Sequence, residues 1–226
     1  MTAANLKSLW DRRDDIDHRE GLVAYRRYRK VMQAFADLYG FPLKDVTSAF
    51  VALSPNSDYH GNLRSLASVL EGVRDKIPTD YITVSTHNAC RDRAVSYVTR
   101  RKSFLRTVKG PKIRAFRDNI LRPNTSREVT VDGHMVAAWV GKAMTMKDAS
   151  RILKSKADYV RIADGIRNLA NGNGIAPCQA QAILWLTRKR VFAVKYDAQL
   201  QLFAPKNDAW KTLCDPADYP PYERKN

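Results

Sequence analysis

The chain has 226 residues, 44% of them apolar, enough to bury a substantial core as one domain or as two packed helical lobes. No apolar run reaches the roughly 20 residues of a membrane span, the polar N-terminus does not read as a secretory signal, and Cys90, Cys178 and Cys214 lack the spacing of a disulfide framework or a cysteine metal site. Lys plus Arg number 39 against 23 Asp plus Glu, a formal charge of +16 whose field attracts polyanions. The expectation is a soluble, cytoplasmic protein with reduced thiols, no membrane contact and no metal.

Taken in chain order, the elements are helical. In "GLVAYRRYRKVMQAFADLYG" the residues Ala24, Tyr28, Val31, Met32, Phe35, Leu38 and Tyr39 recur at helical spacing, and Gly40 marks the stop. "LKDVTSAFVALSP" predicts a second, mostly apolar helix ended by Pro55. After the polar turn Ser54-Pro55-Asn56, "NSDYHGNLRSLASVLEG" predicts a third helix with a stripe of Tyr59, Leu63, Leu66 and Leu70. Residues 88–106 read as another, with Ala94, Tyr97, Val98 and Leu105 inward and most arginines outward.

That helix leads to Lys109-Gly110-Pro111. Pro111 suits the first turn of a new helix, where its missing N–H costs nothing, and Ile113, Phe116 and Ile120 supply an apolar face. "RPNTSRE" is then a loop, "VTV" a short extended arm, and "HMVAAWVGKAM" a helix that begins after Asp132. "DYVRIADGIRNLAN" and "PCQAQAILWLTRKR" predict two more helices around the Gly172-Asn173-Gly174 turn. Residues 195–226, with four prolines, read as an irregular tail.

Charge is concentrated in one stretch. Between Arg91 and Arg117 stand ten basic residues, among them Arg101, Arg106, Lys109, Lys112 and Arg114, against the single acid Asp92. A glycine-containing hairpin that opens a helix presents backbone N–H groups with the positive end of the helix dipole behind them, a sequence-independent seat for one phosphate. Lys109, Gly110 and Arg114 are the residues placed to build it.

Three segments, in order, resemble the helix-hairpin-helix DNA glycosylase superfamily of the endonuclease III type. "FVALSPNSDYHGNLRSL" is similar to that family's early helix and polar turn, which line the base pocket. "VKGPKIRAFRDNI" is similar to its hairpin, with Lys112 at the position where bifunctional members keep a Schiff-base lysine. "VTVDGHMVAAW" is similar to its VDxH segment, with Asp132 at the catalytic acid and His134 two residues on. The resemblance covers roughly residues 45–145, while residues 156–191 resemble helical segments of uncharacterised phage proteins. The chain departs from the pattern at the hairpin, which has one glycine and a proline in place of G-(V/I)-G, and at Pro55-Asn56, where the family often has glutamine. The C-terminal iron–sulfur cysteines of many members are absent, so no cluster and no other cofactor is implied.

The resemblance implies an all-α, two-lobed fold over residues 1–226, with a helix-hairpin-helix and a cleft between lobes. It implies a monomer that binds double-stranded DNA and draws a base out of the stack. Asp132 then stabilises positive charge at C1′ as the glycosidic bond loosens, and the Lys112 amine attacks C1′, giving an imine that permits strand cleavage. Arg101, Arg106, Lys109, Gly110, Arg114 and His134 are the expected DNA contacts; Asn56, Tyr59 and His60 are the expected base-pocket residues. Two other functions fit the same residues: a transferase acting on a modified thymine with the sugar bond intact, and a non-catalytic DNA-binding module.

Overall fold

The computed structural model describes residues 3–192, Met146 by its backbone alone. Among these the fold is all-α, as expected, with eleven helices and no strand. They are α1 (Ala3–Asp11), α2 (Asp15–Tyr39), α3 (Leu43–Leu53), α4 (Tyr59–Arg74), α5 (Asn88–Val98), α6 (Phe104–Thr107), α7 (Pro111–Leu121), α8 (Gly133–Val140), α9 (Met146–Leu153), α10 (Lys156–Gly172) and α11 (Pro177–Val191), with a 3-10 turn at Thr79–Tyr81. None is long and apolar enough to cross a membrane. The tail expected at 195–226, and Cys214 within it, lie outside the described residues.

The described chain forms two compact units. One takes residues 3–27 and 118–192, the other residues 28–117. The boundaries fall inside α2 and inside α7, so each helix contributes to both units.

The first unit combines both ends of the described chain around one core. Leu6, Leu9 and Trp10 of α1, Met135 and Val136 of α8, Ile162 and Ile166 of α10, and Ile183 and Leu184 of α11 fill it, joined by Val129 and Val131 from the loop before α8. Four of its helices begin at side-chain caps, which take up N–H groups that a first turn leaves unpaired. Asp14 and Asp17 cap α2 reciprocally: the Asp17 N–H donates to Asp14 Oδ1 at 2.7 Å and the Asp14 N–H to Asp17 Oδ2 at 3.3 Å. Asp132, Thr145 and Ser155 cap α8, α9 and α10. Gly141, at φ 81°, ends α8 in the left-handed conformation that glycine adopts without cost. At Gly21 an added Cβ would stand 2.7 Å from the Ile183 Cα, so α2 and α11 touch backbone to backbone there.

In the second unit α3 packs on α4 and α5. Val46, Phe50 and Leu53 of α3, Leu63, Leu66 and Leu70 of α4, and Ala94, Tyr97 and Val98 of α5 are among its buried residues there. Asp58 caps α4, its Oδ1 accepting from the Gly61 N–H at 2.6 Å. Tyr28 is the hub of an aromatic group, with ring centroids 6.0 Å from Phe50, 5.4 Å from Tyr59 and 5.8 Å from Phe116. Such tilted and edge-on pairs match the quadrupoles of the rings.

Several sequence expectations need correction. The helix expected at 88–106 is two pieces: Arg100 sits at φ 56°, which no helix continues, and the chain turns before α6. Leu105, expected inward on that helix, is therefore 61% exposed. Leu38 is 43% exposed, while Tyr25, absent from the expected stripe, is buried. The reason is that α2 serves two cores, so the buried face shifts along it. Helix α8 stops at Val140, short of Met144, and α1 and α9 had no counterpart in the sequence reading.

Candidate functional site

The hairpin region belongs to the second unit. Helix α6, residues 108–110 and α7 form a short helix, a tight connection and a second helix that begins at Pro111. Arg114 holds this shape: its Nε donates to the Val108 carbonyl at 2.6 Å and its Nη2 to the Leu105 carbonyl at 2.5 Å, which satisfies acceptors at the end of α6. Arg114 thus braces the turn from within. Gly110 has open space where a Cβ would stand and does not occupy the left-handed region, so neither packing nor φ demands glycine.

The ten cations between Arg91 and Arg117 divide into two sets. Arg91 is buried against Asp80 and Asp92, Arg100 pairs with Asp45, Arg114 binds the hairpin carbonyls, and Arg117 donates to Ser48 Oγ at 2.7 Å with its guanidinium over the Phe104 ring. The other six, Arg93, Arg101, Lys102, Arg106, Lys109 and Lys112, are exposed, and no hydrogen bond or ion pair among the described residues engages their side chains. Four of the six were among the expected site residues. Lys112 is the second residue of α7, beside the end of the helix that favours anions.

The expected base-pocket residues lie at the start of α4, in the same unit. Asn56 stands at φ 54°, a conformation its short amide side chain tolerates, and its Nδ2 lies 2.9 Å from His87 Nε2. Tyr59 is 7% exposed and spends its ring on Tyr28, Phe50 and His60. His60 packs edge-on against Tyr59 at 5.8 Å between centroids and is half-buried. The three residues adjoin one another, with Tyr59 in the core and Asn56 at the surface.

Asp132 and His134 belong to the first unit. The arm before them is held on both sides. Val129 and Val131 enter the core, and the Tyr159 hydroxyl from α10 donates to the Val129 carbonyl at 2.8 Å while accepting from the Val131 N–H at 3.4 Å. Thr130 points the other way, its Oγ1 accepting from Asn119 Nδ2 at 3.1 Å and lying 3.3 Å from the Tyr25 hydroxyl, which donates to Gln181 Oε1 at 2.6 Å. Burial pushes the Tyr159 phenol up to about 12 and moves Tyr25 upward as well, so both remain neutral donors at physiological pH. Among the described residues the arm makes no ladder with another segment; side chains take the place of a neighbouring strand.

Asp132 then caps α8. Its Oδ1 accepts from the Met135 N–H at 2.9 Å, leaving Oδ2 without a partner among the described residues. A carboxylate fixed through one oxygen at a helix N-terminus keeps the other for a positive charge that develops nearby. His134, the second residue of α8, packs edge-on to Trp185 at 5.5 Å between centroids, and its Nδ1 lies 2.6 Å from Nη1 of Arg188, a buried residue of α11.

Arg188, Tyr25 and Tyr159 were not among the expected site residues. In the sequence "TRKR" is only the end of the helix expected from "PCQAQAILWLTRKR", and Tyr159 one position of the helix expected from "DYVRIADGIRNLAN". A buried phenol needs a partner for its hydroxyl, and that need was the available signal for Tyr159. No group of three or more His, Cys, Asp or Glu suited to a metal ion occurs among the described residues.

A family model described as a family of unknown function (DUF7178) matches residues 1–191, a span that takes in residues of both units. No curated protein and no solved structure matches the chain.

Proposed function

The chain belongs to DUF7178, a family of unknown function, and we propose that it is a DNA-binding enzyme of the helix-hairpin-helix glycosylase type, which excises a base and cleaves the resulting strand through Lys112. The observation that carries this reading is the hairpin itself: a short helix, a turn with an open glycine and a second helix, with Lys112 exposed near its start among unpaired cations. Exposed, unpaired Lys and Arg on one hairpin suit a phosphate backbone, because each phosphate neutralised releases condensed counterions.

The chemistry assigned to the two key residues is as follows. As the glycosidic bond of an extruded nucleotide lengthens, C1′ gains positive charge, which the unpaired oxygen of Asp132 offsets. The Lys112 amine, having lost a proton, forms a bond to C1′ while the base departs with the bonding electrons and takes up a proton. Loss of a proton from nitrogen, with cleavage of the C1′–O4′ bond and a proton taken up by O4′, opens the sugar ring and gives the imine; removal of a proton from C2′ then breaks the C3′–O bond and releases the 3′ phosphate. Neither step calls on a metal or an organic cofactor.

Borohydride reduction tests the covalent step, because it converts the imine into a stable amine. With duplex DNA carrying a panel of altered bases, the wild-type chain is expected to form a trapped complex on a denaturing gel. Lys112→Ala is expected to abolish trapping while DNA binding stays within about threefold, the loss of one phosphate-range charge. Mass spectrometry of the products separates this reading from its alternatives. Free base appears only for a glycosylase; a modified nucleoside with its sugar bond intact marks a base transferase; DNA binding with no product under any substrate marks a binding module.

A further inference from the structure

Three consecutive cations near the end of α11 serve three purposes. Lys189 places its ammonium 4.4 Å from the centroid of the Trp185 ring, and Arg190 pairs with Asp14 and Asp17. Arg188 points into the first unit and is only 4% exposed. Its Nη1 meets His134 Nδ1 at 2.6 Å, its Nε has no acceptor among the described residues, and no carboxylate there lies within ion-pair distance. Burial moves the guanidinium below its ordinary value, and the nearby Asp132 carboxylate works against that.

This is a costly way to fill a core. An apolar side chain of similar length would bury no charge and leave no N–H unpaired, and such replacements are often neutral or stabilising. Besides the Phe192 ring, 5.7 Å from its Cζ, the guanidinium has one short contact, with His134, and the reason for an arginine is sought there.

That contact has a definite consequence. A guanidinium donates and cannot accept, so Nδ1 of His134 must be the acceptor and carries no proton. The ring is then neutral, and Nε2 bears its only proton. We propose that Arg188 is a positioning residue, which fixes His134 as the Nε2–H tautomer and holds that ring in place on α8, so that "VDGH" meets the DNA backbone with one carboxylate and one imidazole donor of set direction. The DNA-facing half of this rests on the proposed function; the tautomer half does not.

Nitrogen-15 long-range correlation spectra of the imidazoles in the full chain test it, with His134→Gln used to assign the signal. The wild type is expected to show Nδ1 unprotonated and Nε2 protonated at neutral pH. Arg188→Met is expected to relax that preference toward the mixture of an unconstrained ring, with a Tm equal to or above the wild type. Arg188→Lys is expected to restore the preference in part, since an ammonium also only donates. A wild-type ring protonated at Nδ1, or a tautomer unchanged in Arg188→Met, overturns the proposal. If Arg188→Met does not fold, the structural reading of Arg188 is upheld and the proposal falls.

For the DNA half, the probe is a duplex carrying a tetrahydrofuran abasic analogue. Arg188→Met and His134→Gln are each expected to weaken binding about tenfold, the range of one charge-assisted hydrogen bond. The double variant is expected to lose no more than either single one, because Arg188 acts through His134; additive losses overturn that route. A wild-type chain that does not bind the duplex at all counts against the proposed function, and the spectra then decide the role of Arg188 on their own.

Discussion

At Asp132 one carboxylate caps α8 and, on the proposed reading, also offsets positive charge at C1′, and substitution can separate the two. Asparagine caps a helix about as well as aspartate, so Asp132→Asn is expected to keep the N-terminus of α8 and change stability by less than about 0.5 kcal/mol. The same change removes the negative charge, and base release in single-turnover assays is expected to fall at least about 100-fold. Asp132→Ala is expected to lose both, with a further cost of about 1 kcal/mol in denaturant unfolding. Equal activity in Asp132→Asn and wild type would confine Asp132 to its capping role. Cys178 gives a simpler test: burial pushes its thiol up to about 11, and its Sγ donates to the Pro123 carbonyl. Alkylation at pH 8, mapped by mass spectrometry, is expected to spare it in the folded chain.

Among the elements, two glycines make opposite demands. At Gly21 the close approach of α2 to the backbone of α11 leaves no room for a methyl group, and Gly21→Ala is expected to cost about 1–3 kcal/mol, read as a lowered Tm with little effect on DNA affinity after correction for folding. At Gly110 nothing stands within 4 Å of the added Cβ, so Gly110→Ala is expected to leave Tm nearly unchanged. On the proposed reading it weakens DNA binding, because the methyl group stands where a phosphate has to approach. The arm before Asp132 is the other informative element. "VTV" has the composition of a strand, yet among the described residues it pairs with no strand; Tyr159 satisfies its backbone from one side and the Asn119, Tyr25 and Gln181 group holds Thr130 from the other.

For the molecule as a whole, pH and salt are the useful variables. Tyr159 has an ordinary value near 10 and is raised to about 12 in the fold, so its contribution is fully present below about pH 10 and is lost as pH rises toward 12. A two-unit shift corresponds to about 3 kcal/mol, and Tyr25 is shifted in the same direction. Unfolding free energy is expected to fall over that interval, and Tyr159→Phe is expected to flatten the fall; an unchanged profile would mean the phenol ionises without leaving the core. In DNA binding, affinity is expected to drop steeply with salt, and each of Arg101→Ala, Arg106→Ala and Lys109→Ala is expected to reduce the slope of log K against log salt by about 1. Arg114→Ala is expected to behave differently, lowering affinity through a loosened hairpin, with a detectable loss of stability.

The sequence by itself determined the helical class, the helix that opens at the hairpin and several helix ends, because these depend on local chemistry: the 3.6-residue spacing of apolar side chains, the start of α8 after Asp132, and breakers such as Gly40, Pro55 and Pro111. It also determined that residues 91–117 are strongly basic. Only the tertiary structure decided which of those cations are free, since Arg91, Arg100, Arg114 and Arg117 find partners 1 to 73 positions away that no spacing rule anticipates. It likewise decided that α2 shifts its buried face between Tyr25 and Met32, and that the "TRKR" run turns Arg188 inward to His134, 54 positions earlier. Local propensities act over one turn of a helix, whereas burial and hydrogen-bond partners are set by whichever distant segments the core brings together.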